Sequence, residues 1–130
     1  MIALDSSALV RLVLDEPESA ALESWLTSRA PLSVTASDLV RVELIRAVAR
    51  AAPAGVPRAR MLLAGVDLVP ITRDLLETAA DLGPPSLRSL DALHLATALS
   101  LGSALDAFVV YDERLARAAT EAGLPVVAPS

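Results

Sequence analysis

The sequence predicts an α/β fold: a central, mostly parallel sheet of about four or five strands, flanked by helices on both sides. Segments that read as strands alternate with segments that read as helices along the whole chain. The strand segments are continuously apolar, as expected of strands buried on both faces, rather than alternating between apolar and polar. The 130 residues hold no repeat, no low-complexity stretch and no internal linker, so residues 1–130 are expected to form a single domain.

The elements follow in order. Ile2–Leu4 is an apolar run ending at Asp5, a first strand. Ser6 to Leu14 reads as a helix broken near Pro17. Glu18 to Arg29 reads as another, with Ala21, Leu22, Trp25 and Leu26 at helical spacing. Pro31 ends the connection and Leu32–Thr35 is a short β-type run. Ser37 is the expected N-cap of a long helix reaching about Ala52. Pro53, Gly55 and Pro57 mark a break before a helical Arg58 to Ala64. Asp67–Ile71 reads as a strand, and Asp74 to Leu82 as a helix stopped at Gly83-Pro84-Pro85. Ser89 to Leu101 is the most apolar helix, closed by Gly102. Ala107–Tyr111 is a strand, Glu113 to Ala122 a helix with Gly123 past its end, and Pro125–Val127 a last short strand.

Hydrophobic residues make up 54% of the chain and aromatic ones only 2%, so the core must be built from Leu, Val, Ile and Ala. The apolar share is high enough that some of it is expected at an interface with a partner. With no cysteine there is no disulfide framework and no thiolate metal site. Ala92 to Leu105 is too short to span a bilayer, and Asp5 comes too early for a signal peptide, so a cytoplasmic protein without a membrane segment is expected. Net charge is −5 and all eleven cationic side chains are arginine. That balance argues against loose electrostatic binding of nucleic acid. It does not exclude an enzyme that handles nucleic acid through a bound metal ion.

Four acids carry the chemistry. Each has an ordinary explanation when taken alone. Asp5 and Asp112 stand between a strand and a helix, where an N-cap is favoured. Asp91 falls in the first turn of its helix, where the helix dipole favours negative charge. Glu43 precedes Arg46 by three residues and can pair with it on the surface. Topology changes the weighing. In a parallel sheet every strand points its carboxyl end at one edge, so Asp5 and Asp112 both arrive there. The helix carrying Glu43 starts at the same edge. The helix carrying Asp91 precedes a strand, and if it runs antiparallel to that strand its N-terminus lies there too. Four carboxylates can then converge on the crevice where open α/β folds bind ligands. Close carboxylates repel and raise one another's pKa values, and a divalent cation removes the conflict. All-oxygen ligation suits Mg²⁺ or Mn²⁺, which binds substrate phosphate and lowers the pKa of water; that chemistry is phosphodiester hydrolysis.

The segments IALDSSALVRLVLDEPES, SDLVRVELIRAV, LRSLDALHLATAL and FVVYDERLARAATEAGLPV resemble, in order, the signature segments of PIN-domain ribonucleases. The closest resemblance is to VapC-type toxins of bacterial type II toxin–antitoxin pairs, and it spans nearly the whole chain. It implies a three-layer PIN-like fold and an acidic quartet of Asp5, Glu43, Asp91 and Asp112 that holds Mg²⁺ or Mn²⁺ and activates water. Ser6 or Ser7 resembles the hydroxyl residue after the first Asp that assists the site. Many relatives carry Thr or Ser where this chain has Val110, so one accessory contact is absent. The resemblance further implies an RNA substrate, in-line attack leaving 5′-phosphate and 3′-hydroxyl ends, a cognate VapB-type antitoxin and a homodimer. Asp5 and Asp91 are the strongest ligand candidates; Glu43 and Asp112 can act directly or through water.

Other residues have plainer readings. His94, three residues after Asp91, can share its face and act as a base, but reads first as a structural histidine in a packed helix. Trp25 reads as a packing anchor, Arg88 as a solvated arginine at a helix start, and Glu113 as ordinary first-turn placement. Asp15 and Glu16 fit an exposed turn. A phosphatase of the haloacid dehalogenase type and a response-regulator receiver both need a lysine at the site, and the chain has none. Two alternatives to the toxin remain: an α/β module that binds metal or protein without catalysis, and a PIN nuclease of RNA processing.

Overall fold

The computed structural model describes residues 1–130. Five strands, β1 (Ile2–Leu4), β2 (Val34–Ser37), β3 (Asp67–Val69), β4 (Ala107–Val109) and β5 (Val126–Val127), form one sheet in the order β3-β2-β1-β4-β5. Every neighbouring pair is parallel, with Ile2 opposite both Val34 and Ala107. Seven α-helices connect them: α1 (Ser6–Val13), α2 (Ser19–Thr27), α3 (Val40–Ala51), α4 (Val56–Ala64), α5 (Arg73–Ala80), α6 (Ser89–Ser100) and α7 (Glu113–Glu121). The expected α/β class and parallel sheet are therefore present, at the upper end of the expected strand number.

Strand side chains alternate between two cores. Ile2, Leu4, Ala36 and Val109 pack with Leu9 of α1, Leu22 of α2, Leu44 and Val48 of α3, and Leu63 of α4. Ala3, Phe108 and Val110 pack with Leu95 and Ala98 of α6 and Leu115 and Ala119 of α7. Helices thus lie on both faces and the molecule has three layers. Removing the apolar side chains of both faces from water is the main force holding them there.

Strand order reverses at β1. From there the chain runs outward to β2 and β3 on one side, and to β4 and β5 on the other. The carboxyl ends of β1 and β4 flank this switch point, where connections diverge to opposite faces and leave a crevice. Helix α6 leads into β4, and its N-terminal turn opens on the same edge.

Several boundaries differ from those read in the sequence. Ser37 does not cap the third helix: it is the last residue of β2, and its hydroxyl accepts the Leu39 N–H within a turn. The helix begins at Val40 with no side-chain cap. The second strand starts at Val34 rather than Leu32, although the Ser33 carbonyl just before it still accepts the Ile2 N–H at 2.8 Å. Helix α5 begins one residue earlier than expected, since the Thr72 hydroxyl accepts the Leu75 N–H and caps it. Pro53–Gly55 and Gly102–Ala104 form single 3₁₀ turns. Gly123 does follow α7, with φ +87°, a conformation that relieves the helix end at no Cβ cost.

Candidate metal centre and active site

Asp5 is the residue after β1, and it is almost wholly buried at 3% exposure. Its Oδ1 accepts the Ala8 N–H at 3.0 Å, capping α1, and the Ser7 hydroxyl at 2.6 Å. Its second oxygen accepts nothing from the protein. No buried side-chain oxygen lacks a partner, so that oxygen must reach open space. The Ser7 Oγ also accepts the Tyr111 N–H at 3.1 Å, one residue before Asp112. One hydroxyl therefore ties the end of β1 to the loop after β4. Arg11 buttresses the same place. It donates to the Ser7 carbonyl at 3.0 Å, pairs with Glu18 at 3.0 Å and stacks 4.2 Å over the Tyr111 ring.

Asp112 caps α7 in the same manner, its Oδ1 accepting the Leu115 N–H at 2.9 Å. Asp91 lies in the first turn of α6, half-buried. Glu43 lies in the first turn of α3. All four acids line one cleft of about 650 Å³ at the carboxyl edge of the sheet, together with Ser6 and Ser7. The same cleft is bordered by Arg46 and Arg50 of α3 and by Arg88 at the start of α6. Arg88 thus stands at the site and is solvent-exposed there. Glu113 is exposed and does not line the cleft, and Trp25 packs against the core with Arg29 stacked on its ring at 3.9 Å. A second groove of about 590 Å³ between α5 and α6 is mainly apolar, with Asp81 its one charged group.

The electrostatics match the geometry. Burial pushes the Asp5 carboxyl above its ordinary value of 3.8; the bonds from Ser7 and Ala8 and the nearby His94 oppose this, and Asp91 adds to it. Asp91 is also raised, first by burial and then by Asp112, with Glu43 adding and His94 and Arg88 opposing. Mutual repulsion among the acids is therefore a property of this cleft.

His94 is packed in the helix as the sequence suggests, and it also meets one of the cleft acids. It is buried at 3% exposure, and its Nε2 stands 2.6 Å from Glu43 Oε1. A carboxylate only accepts, so the imidazole N–H donates. The spacing of Asp91 and His94 puts both on one helical face, but the partner lies 51 residues away on α3 and leaves no local trace in the sequence. Val110 is 1% exposed and packs in the core, so no hydroxyl arises at its position; the nearby hydroxyl is that of Ser7.

No three of these side chains meet closely enough to enclose an ion as they stand. Asp5 and Asp112 each use one oxygen on a helix cap, and Glu43 uses one on His94. Each keeps a second oxygen that no protein donor engages. Free hard oxygens, repulsion that a cation relieves, and a solvent-reachable cleft fit Mg²⁺ or Mn²⁺ by donor chemistry. They do not fit a zinc site of the Cys/His type, with one His already engaged and no Cys.

A family model described as PIN domain matches residues 2–121. The chain is 45% identical over 132 residues to Ribonuclease VapC47 of Mycobacterium tuberculosis (strain CDC 1551 / Oshkosh), across 99% of this chain and 97% of that one. Among solved structures, the fold matches that of Mycobacterium tuberculosis VapC20, described as a sarcin-ricin loop cleaving toxin. The TM-score is 0.79 at 20% identity, over 99% of this chain and 100% of the other. A toxin–antitoxin complex from Klebsiella pneumoniae matches with a TM-score of 0.72 at 22% identity, over 100% and 98% of the two chains.

Proposed function

The chain belongs to the PIN-domain family, and from that premise we propose that it is an endoribonuclease toxin of the VapC type. It hydrolyses RNA phosphodiester bonds, depends on Mg²⁺ or Mn²⁺, and is held inactive by a cognate VapB-type antitoxin. The observation that carries this reading is the single cleft shared by Asp5, Glu43, Asp91 and Asp112 at the sheet's switch point. The ribonuclease name of a relative 45% identical over the full chain supports the substrate class. The same two facts favour a nuclease over a non-catalytic binding module.

Asp5 and Asp91 are the principal ligands, with Glu43 and Asp112 completing the set. When bound, the ion supplies neutralisation of phosphoryl charge and acidifies water at the scissile bond. The protein's own groups do the rest. Ser7 holds Asp5 and the Asp112 loop in register through its two hydrogen bonds, while Ser6 borders the cleft beside them. Arg46, Arg50 and Arg88 offer guanidinium groups to flanking phosphates, which offsets the repulsion between RNA and a chain of net charge −5. The occupant of the cleft in the inactive complex is a tail of the antitoxin, the protein works as a homodimer, and its setting is the cytoplasm, where its substrate is. No helix is long and apolar enough to cross a membrane.

The test is cleavage of total cellular RNA by the purified protein. Cleavage is expected with Mg²⁺ or Mn²⁺, to be lost in EDTA, and to return when either ion is added back. Mapped products should carry 5′-phosphate ends. Ends bearing a 2′,3′-cyclic phosphate, or cleavage that persists in EDTA, contradict the mechanism. A small antitoxin-like reading frame directly upstream of the gene favours the toxin role over RNA processing.

A further inference from the structure

We propose that His94 is a positioning residue that fixes Glu43 for the reaction; this rests on the endoribonuclease reading above. Helices α3 and α6 pack on opposite faces of the sheet, α3 in the core with Ile2 and Leu4, α6 in the core with Ala3 and Phe108. The His94–Glu43 bond therefore crosses the carboxyl edge and joins the two layers at the cleft. The imidazole is the ordered partner: its side chain is 2% exposed, against 21% for Glu43. Glu43 has three rotatable bonds and reaches the cleft from α3. Without a fixed donor it loses its place among rotamers, and each turnover must then order it again.

A core histidine satisfied by a backbone carbonyl has no consequence for a site. Here the partner is one of the four cleft-lining carboxylates. The bond takes Oε1 and leaves Oε2, which no protein donor engages. His94 also follows Asp91 by one turn of α6. The helix that carries one ligand candidate thus also sets the position of another, and the spacing of Asp91 and Glu43 becomes a property of α6 rather than of two independent side chains.

The test compares His94→Leu, which keeps the buried volume without a donor, with His94→Gln, whose amide N–H reaches toward the place of Nε2. Each is made in the wild-type and in the Glu43→Ala background. The readouts are Mn²⁺ affinity by calorimetry without RNA, and kcat and KM for RNA cleavage. H94L is expected to weaken Mn²⁺ binding and lower kcat by about tenfold or more, with KM little changed, as for other residues that orient a ligand. H94Q is expected to recover most of both. In the E43A background H94L is expected to add much less further loss than in the wild type, because its main route is through Glu43 and only its weaker action on the Asp5 and Asp91 carboxyls remains. Affinity and kcat of H94L within about twofold of wild type overturn the proposal, as does an equal loss in both backgrounds, which marks a role in packing alone. Should H94L fail to fold, H94Q and His94→Asn decide instead: Gln retains function and the shorter Asn loses it, and equal behaviour overturns the proposal. A wild-type protein that neither binds Mn²⁺ nor cuts RNA overturns the nuclease reading itself, a result distinct from all of these.

Discussion

Replacing Asp5 by Asn is expected to abolish RNA cleavage, by about 10³-fold or more, while leaving the fold as stable as before or more so. The two halves of this expectation have one cause. Asp5 is 3% exposed and its carboxyl is raised above 3.8 by burial, so the ionised form is disfavoured in the folded chain relative to the unfolded one. A carboxylate raised in the folded state lowers stability at pH values above its folded pKa and ceases to do so as pH falls towards 3.8. Asn removes that charge at neutral pH. It also keeps the oxygen that accepts from Ala8 and Ser7, and Asn caps a helix as well as Asp does. The catalytic loss follows because a neutral amide oxygen holds a hard cation much more weakly than a carboxylate does. Urea unfolding without divalent metal, run from neutral to mildly acidic pH, should show the wild type gaining on the variant as pH falls. Strong destabilisation of D5N at neutral pH contradicts the burial penalty, and cleavage near the wild-type rate contradicts the ligand role of Asp5.

The second large effect runs the other way. Leu95→Ala is expected to lower stability by about 2–5 kcal/mol while leaving activity per folded molecule nearly intact. Leu95 is 1% exposed in the core with Phe108 and Leu115, and from Ala92 to Ala98 every residue of α6 is buried. Three of the residues buried with it on α6 are alanines, Ala92, Ala96 and Ala98, which cannot spread to fill the space a lost leucine leaves. Against the total of about 5–15 kcal/mol typical of a domain, this is a large fraction. The expected signature is a lower urea midpoint at unchanged slope. A loss below about 1 kcal/mol means that α6 is held loosely, and that Asp91 is not fixed by the packing beneath it. Together the two variants separate what holds the site from what acts in it.

The parts legible in the sequence share a physical property: their signal is local. Asp5 and Asp112 each end an apolar run and open a helix, so a strand end and a cap are written within a few residues. The parallel sheet, the single cleft edge and the convergence of four acids follow from that pattern together with strand direction. The parts that are not legible are contacts across long stretches of chain. Ser7 reaches Tyr111 over 104 residues and His94 reaches Glu43 over 51, and neither residue type announces its partner. Arg11, which braces Ser7 and Tyr111 alike, is invisible in the sequence for the same reason. Ser37 misleads because a serine before a helix resembles a cap, whereas pairing with β3 carries the chain on as strand and moves the helix start to Val40. The ligand roles of Asp5, Asp91, Glu43 and Asp112 are decided by metal binding.

That decision is most direct in a crystal of the protein grown with Mn²⁺ and measured for anomalous scattering. The expected result is a manganese peak in the cleft, ligated by Asp5 through the oxygen that does not cap α1 and by Asp91, with Glu43 and Asp112 in contact directly or through water. No peak in the cleft at saturating Mn²⁺, or a peak only on an exposed acid such as Glu113, contradicts it.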